Sequence, residues 1–119
     1  MVKHLKIKGK IVLVPFPFDD FSSLKVRPAL CLTEPSSTHN HIIIAFISSK
    51  ISNYIESTEI LLESSDSLFH KTGLKTSSVI KLSRMTTIPK KFIKRELGIL
   101  PQELTNELHL KLKLLFDLD

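Results

Sequence analysis

Gly9-Lys10-Ile11-Val12-Leu13-Val14-Pro15-Phe16-Pro17-Phe18-Asp19-Asp20-Phe21-Ser22-Ser23-Leu24-Lys25-Val26-Arg27-Pro28-Ala29-Leu30-Cys31-Leu32 is the stretch from which the fold is read. Residues 11–14 form a continuous apolar run rich in β-branched side chains, the pattern of a strand buried on both faces. Pro15 and Pro17 are expected to end that strand, because proline cannot donate to a ladder and its φ is held near about −65°. Asp19-Asp20 and Ser22-Ser23 are loop chemistry, with side chains that bond the local backbone. Ala29-Leu30-Cys31-Leu32 then resumes an apolar strand. Arg27 is thereby expected where the loop meets the second strand, and Pro28 restricts it to extended backbone. A cation held in that way is suited to binding an anion.

The chain has 119 residues, which fits one domain and leaves no room for a second core. Apolar residues make up 42% and charged residues 24%, a composition that excludes a disordered chain. Seventeen basic residues against twelve acidic ones leave a net charge of +5 and a pI near 9.4. That balance fits a polyanionic partner, although charge alone fits plain solubility equally well. Cys31 has no second cysteine to pair with, so a reduced, cytoplasmic setting is expected. The first residues do not read as a signal peptide, since two prolines interrupt the apolar run and no small-residue cleavage site follows. No stretch approaches the length needed to cross a bilayer, and no membrane association is expected.

Outward from the opening stretch, Lys6, Lys8 and Lys10 alternate, which would place them on one face of an extended arm as a charged edge. Glu34-Pro35-Ser36-Ser37-Thr38-His39-Asn40-His41 is turn-rich; His39 and His41 lack a third ligand, and no metal is assigned to them. Ile42-Ile43-Ile44-Ala45-Phe46-Ile47 is the strongest strand, bounded by Ser48-Ser49, and residues 57–62 read as another. Residues 63–78 read as loop with one helical turn, with Gly73 at positive φ. Ser78-Val79-Ile80-Lys81-Leu82 is a further strand, Thr87-Ile88-Pro89 turns the chain, and residues 90–97 form a short basic helix or strand ended by Gly98. A terminal helix begins at Pro101, with Glu103 complementing its dipole. Leu104, Leu108, Leu112, Leu115 and Phe116 make one apolar stripe of that helix, and Leu110, Leu114 and Leu118 a second on nearly the opposite side. One stripe covers the sheet; the second, with the Phe16/Phe18 segment, points to a homodimer. Residues 1–119 thus read as a single, mainly β domain, a small curved antiparallel sheet or barrel capped by a C-terminal α-helix.

The opening stretch resembles the start of the MazF/PemK (Kid) family of toxin endoribonucleases. Gly9 precedes the first strand, Pro15-Phe16-Pro17-Phe18 leads into the first loop, and Lys25-Val26-Arg27-Pro28-Ala29-Leu30 opens the second strand. The likeness continues in order through Ile44-Ala45-Phe46-Ile47-Ser48, Ser78-Val79-Ile80-Lys81-Leu82 and Thr87-Ile88-Pro89 to the closing helix. It implies an SH3-like antiparallel β-barrel with a C-terminal helix. It also implies a cytoplasmic toxin of a toxin–antitoxin pair that cleaves single-stranded RNA sequence-selectively, without metal or cofactor. The implied partners are an antitoxin protein, with which such toxins also bind DNA, and a second copy of the chain, the RNA groove lying at or near the dimer interface. By the same resemblance Arg27 matches the catalytic arginine, and Ser48 falls where the family places a catalytic threonine. Lys25, Lys81, Arg84, Phe18 and Ser49 are the accompanying RNA-binding candidates. The chain departs from the pattern at Ser83-Arg84, where relatives carry an acidic residue followed by Gln or Lys.

The chemistry is consistent with those assignments. RNA carries its own nucleophile, the 2′-OH, beside each phosphodiester. A guanidinium fork holds two phosphate oxygens at once, whereas it is a poor base. A serine hydroxyl donates to a phosphate oxygen but is no acid or base near neutrality. The residues alone also fit plainer roles: Arg27 as an ion-pair partner of Asp19 or Asp20, and Ser48-Ser49 as a turn. They fit equally a non-catalytic nucleic-acid- or protein-binding β-barrel, including a topoisomerase-inhibiting toxin of the same fold. Ser48 and Ser49 must face opposite sides of a strand, so only one shares a face with Arg27. Both faces of residues 42–47 are apolar, so the pattern does not choose; the resemblance chooses Ser48.

Overall fold

The apolar runs of this chain serve two cores, one on each face of a single curled sheet. The computed structural model describes residues 6–17, 24–36 and 38–119. In chain order it contains β1 (Lys10–Pro17), β2 (Leu24–Cys31), β3 (His41–Ser48), β4 (Glu59–Leu62), β5 (Ser78–Pro89), β6 (Arg95–Ile99) and α1 (Thr105–Leu115). Short 3₁₀ turns lie at Phe69–Thr72, Lys90–Phe92 and Gln102–Leu104. The strands pair antiparallel in the order β4-β5-β3-β2-β1-β6. Ile11, Leu30, Ala45, Ile47, Ile60 and Ile80 point to one face, where Leu108 of α1 seals them. Val12, Val14, Phe16, Ala29, Ile44 and Phe46 point to the other, closed over by Ile7, Ile88 and Ile93 as the sheet curls. Both faces being dry explains why the strands read as unbroken apolar runs. The result is the mainly β half-barrel with one C-terminal helix that the sequence led us to expect.

Several boundaries differ from the sequence reading. β1 does not end at its prolines but runs through both, with Pro15 opposite Val26. The reason is local: β6 pairs with β1 only from Lys10 to Leu13, so beyond Leu13 no strand among the described residues forms a ladder on that side for proline to interrupt. Pro28 is tolerated in β2 in the same way, since the ladder to β3 spans only Ala29 to Cys31. β2 consequently starts at Leu24, and Arg27 lies inside the strand rather than at its junction with the loop. β5 likewise continues through Thr87-Ile88-Pro89, because β3 pairs with it as far as His41 opposite Pro89. Within it the register shifts between Ala45/Met85 and Phe46/Lys81, leaving residues 82–84 as a bulge. The chain turns only at Lys90–Phe92, and Gly98 lies within β6 instead of ending an element.

The N-terminal lysines do not share one straight arm. Residues 8–9 form a turn at Gly9 (φ 93°), the Glu34 carboxylate accepts the N–H groups of Ile7 and Lys8 at 3.0 Å each, and Lys10 pairs with Glu96 at 3.1 Å. Pro101 is extended and precedes a 3₁₀ turn, so α1 proper begins at Thr105. Leu108 is buried and Leu104, Leu112 and Leu115 pack beside it, but Phe116 lies past the last helical residue and is 56% exposed, so it leaves the stripe. Leu110, Leu114 and Leu118 are 67%, 57% and 63% exposed. Finally, the 71–73 segment lies backbone-to-backbone on β6. A Cβ on Gly73 would stand 1.9 Å from the Leu97 carbonyl oxygen, and one on Gly98 would stand 2.3 Å from that of Lys71.

Candidate active site

Residues directly opposite one another in an antiparallel ladder share a face. β2 and β3 pair Ala29 with Phe46 and Leu30 with Ala45. The ladder itself ends at Ala29, but the two-residue alternation of each strand keeps Arg27 on the face of Ala29 and Ser48 on the face of Phe46. Arg27 is opposite Val14 of β1, and Ser48 is opposite Val79 of β5. The neighbouring row on the same face runs Glu59, Lys81, Phe46, Ala29, Val12. Lys25, opposite Phe16, lies beyond Arg27 on that face. The sheet therefore gathers Lys25, Arg27, Ser48 and Lys81 from three strands onto one surface. Ser49 faces the reverse side, where it lines a pocket with Leu13, Pro28 and Ile47.

Ser48 and Lys81 are each held by a partner. The Lys50 N–H donates to Ser48 Oγ at 3.1 Å, so the hydroxyl oxygen is engaged as an acceptor while its proton remains available to donate. Lys81 Nζ donates to Glu59 Oε2 at 3.0 Å, and the Glu56 N–H donates to Oε1 at 2.9 Å. Lys111 of α1 donates to the Glu59 carbonyl at 2.6 Å and to Glu107 Oε2 at 2.7 Å, so the helix braces the strand that carries this carboxylate. Burial pushes the Glu59 carboxyl up. The Glu56 N–H outweighs this together with the hydrogen bond and charge of Lys81 and the charge of Lys111, leaving it below the usual carboxylate range. Arg84, in the β5 bulge, places its guanidinium carbon 5.1 Å from the centre of the Phe46 ring. Phe46 meets Phe16 edge-on, with ring centres 5.2 Å apart.

Of the residues singled out from sequence, Arg27, Ser48, Lys25, Lys81 and Arg84 are thus collected on one face, and Ser49 is not. Phe18, Asp19 and Asp20 lie outside the described residues. Sequence reasoning missed Glu59 and the Phe16–Phe46 pair. An acid inside the apolar run Glu59-Ile60-Leu61-Leu62 was a visible signal, but its partner lies 22 residues away. The rings of His39 and His41 stack with centres 5.8 Å apart, and among the described residues no group of three His, Cys, Asp or Glu side chains is placed to hold a metal ion. No helix among them is long and apolar enough to cross a membrane. An apolar cleft of about 140 Å³ between Leu62, Phe69 and Leu104 contains none of the candidate residues.

The chain is similar along its whole length to several solved structures. The Mycobacterium tuberculosis toxin MazF-mt6 superposes with a TM-score of 0.70 at 23% identity, covering 92% of this chain and 98% of that one. The MazE-MazF complex (Form-II) from Deinococcus radiodurans gives 0.72 at 18% identity, over 98% and 100% of the two chains. An endoribonuclease in complex with its cognate antitoxin from Mycobacterial species gives 0.68 at 13% identity, over 97% and 98%. A comparison with curated proteins finds no match. These likenesses establish the fold. The family is established by the sequence itself, which matches the model for the PemK-like, MazF-like toxin of type II toxin-antitoxin systems over residues 7–116. With 110 consecutive positions matched and a curled sheet that carries Arg27 and Ser48 on one face, this chain belongs to the PemK/MazF toxin family of type II toxin–antitoxin systems.

Proposed function

We propose that this toxin is an endoribonuclease that cleaves single-stranded RNA by attack of the substrate's own 2′-OH on the adjacent phosphorus. The 2′-oxygen–phosphorus bond forms as the phosphorus–5′-oxygen bond breaks. The 2′-OH gives its proton to solvent water, the departing 5′-oxygen takes one from water, and the products carry a 2′,3′-cyclic phosphate and a 5′-OH. Arg27 neutralises charge on the non-bridging oxygens of the five-coordinate phosphorus, and Ser48 donates its hydroxyl proton in a hydrogen bond to one of them. Lys81, steadied by Glu59, and Lys25 hold neighbouring phosphates; Arg84 lies over Phe46 where an unstacked base is met. RNA brings the nucleophile and the cations supply the charge, so the reaction proceeds without a metal ion. The observation that carries this reading is the shared face of Arg27 and Ser48, on adjacent strands, with the Ser48 oxygen already engaged. A second copy of the chain and an antitoxin protein are the partners, the antitoxin covering the same face.

The test is incubation of the purified protein with a long single-stranded RNA in EDTA, followed by mapping of the ends. Cleavage at defined sequences with cyclic-phosphate ends is expected, and a 2′-deoxy substitution at the cleaved nucleotide should block it. Arg27→Ala should slow cleavage by about 10²–10³. Ser48→Ala should slow it about tenfold, with Ser48→Thr active and Ser49→Ala little changed in the cleavage step. Cleavage of the deoxy substrate, or activity lost in EDTA, rules the mechanism out.

A further inference from the structure

On the reverse of the Arg27–Ser48 row the sheet carries a concavity of about 320 Å³. Its floor is apolar: Leu13, Pro28, Ile47 and Leu97. The exposed Lys75 and Arg95 also line it, together with Ser49 and Thr76. Whereas Lys10, Lys81 and Lys111 each pair with a carboxylate, neither Lys75 nor Arg95 does so among the described residues. Among the described residues no acidic side chain lines this pocket, in contrast to the smaller cleft near α1, which Glu63, Asp66 and Glu103 border. The lining is also built rather than loose. Gly73 and Gly98 let the segment that carries Lys75 rest directly on β6, and Ser78 Oγ donates to the Thr76 carbonyl at 3.0 Å.

We propose that this pocket is a second RNA subsite, which takes a nucleotide flanking the cleaved phosphodiester. The proposal rests on the ribonuclease reading above and extends it around the end of the sheet. Two dipeptides connect the faces: Arg27 looks to the reacting phosphate while Pro28 floors the pocket, and Ser48 looks to the phosphate while Ser49 lines the pocket. The two sites therefore lie on opposite faces of the sheet and are joined at adjacent residues of β2 and β3. An RNA strand leaving Ser48 passes over the end of β3 into the concavity. There the flat face of a base rests on Pro28, Ile47 and Leu97, and its phosphate meets Lys75 and Arg95. The volume is at the lower end of the range for small-ligand sites, about 300–1,000 Å³, which suits one nucleotide.

The experiment compares the protein with its Lys75→Gln/Arg95→Gln variant on RNAs trimmed one nucleotide at a time from each side of the cleaved position. Both side chains are exposed, so an unchanged melting temperature is the control for folding. For the unaltered protein kcat/KM should fall about tenfold when one particular flanking nucleotide is removed. The variant should lose that step and match the unaltered protein on the trimmed RNA. A variant that is slower by the same factor at every length, or unchanged at every length, overturns the subsite. A binding arm with uncleavable 2′-O-methyl oligouridylates of two to six nucleotides separates this from failure of the activity itself. The same length step, lost in the variant, supports the pocket even if no RNA is cut. Binding that is equal in both proteins, or a pocket that takes an acidic apolar peptide while oligouridylate fails to displace it, overturns the proposal.

Discussion

Gly98→Ala tests the packing on which the pocket and the end of the sheet both depend. The added methyl would stand 2.3 Å from the Lys71 carbonyl oxygen, 2.5 Å from the Thr72 carbonyl carbon and 2.6 Å from its oxygen. Every one of these is a backbone atom, so no side-chain rotation relieves the contact; the 71–73 segment must move off β6 by about 1 Å to reach ordinary carbon–oxygen separation. Overpacking of this kind costs about 1–3 kcal/mol, and at about 4 °C per kcal/mol for a domain near this size the melting temperature should fall by about 4–12 °C. The other two glycines separate the contributions. Gly9 sits at φ 93° with no atom within 4 Å of its would-be Cβ, so Gly9→Ala should cost only backbone strain, about 1–2 kcal/mol. Gly73 combines φ 71° with a 1.9 Å approach to the Leu97 oxygen, and Gly73→Ala should be the most damaging of the three. Thermal and urea unfolding of the three variants provide the measurement. A Gly98→Ala protein that melts within 1 °C of the unaltered one, or a Gly9→Ala loss larger than that of Gly73→Ala, refutes the argument.

Further expectations concern titration and assembly. The carboxyls of Glu34 and Glu59 are both held below the usual value near 4.5, so their stabilisation is complete above that pH and is lost as pH falls through the lower folded values. Glu59→Gln should therefore flatten the acid limb of the melting-temperature profile; an unaltered slope would show that the Lys81 pair adds nothing. Burial pushes the Cys31 thiol from 9.0 up to about 11, so stability should hold to about pH 9 and then fall toward pH 11 as the unfolded thiol ionises. Cys31→Ala should remove that alkaline loss, and iodoacetamide should label the native thiol far more slowly than the unfolded one. Leu114→Glu, on the exposed leucine row of α1, should convert a sedimenting dimer to monomer with little change in melting temperature. A monomer before substitution, or a dimer after it, counts against that interface.

The family and much of the fold were legible in the residue order, because strand and helix periodicity, turn residues and β-branched runs are local properties. The positions of the first five strands, the positive φ at Gly73 and the buried and exposed leucines of α1 needed no more than that, while residues 90–97 read equally as helix or strand. So did the alternation of Ser48 and Ser49, which follows from the two-residue period of any strand. Tertiary structure decided everything that depends on which strand lies alongside. Pro15 and Pro28 stay inside strands because the neighbouring ladders end before they would need the missing N–H, a fact invisible in the residues themselves. The choice between Ser48 and Ser49 as the face-mate of Arg27 required the register of β2 on β3. Glu59 became a partner of Lys81, and Phe16 of Phe46, only once the sheet had curled and brought distant segments into one row. Register is set by burial summed over the whole sheet and not by any short window of chain, which is why the chemistry-bearing residue types could be named from the sequence while their shared face, and the pocket behind it, awaited the fold.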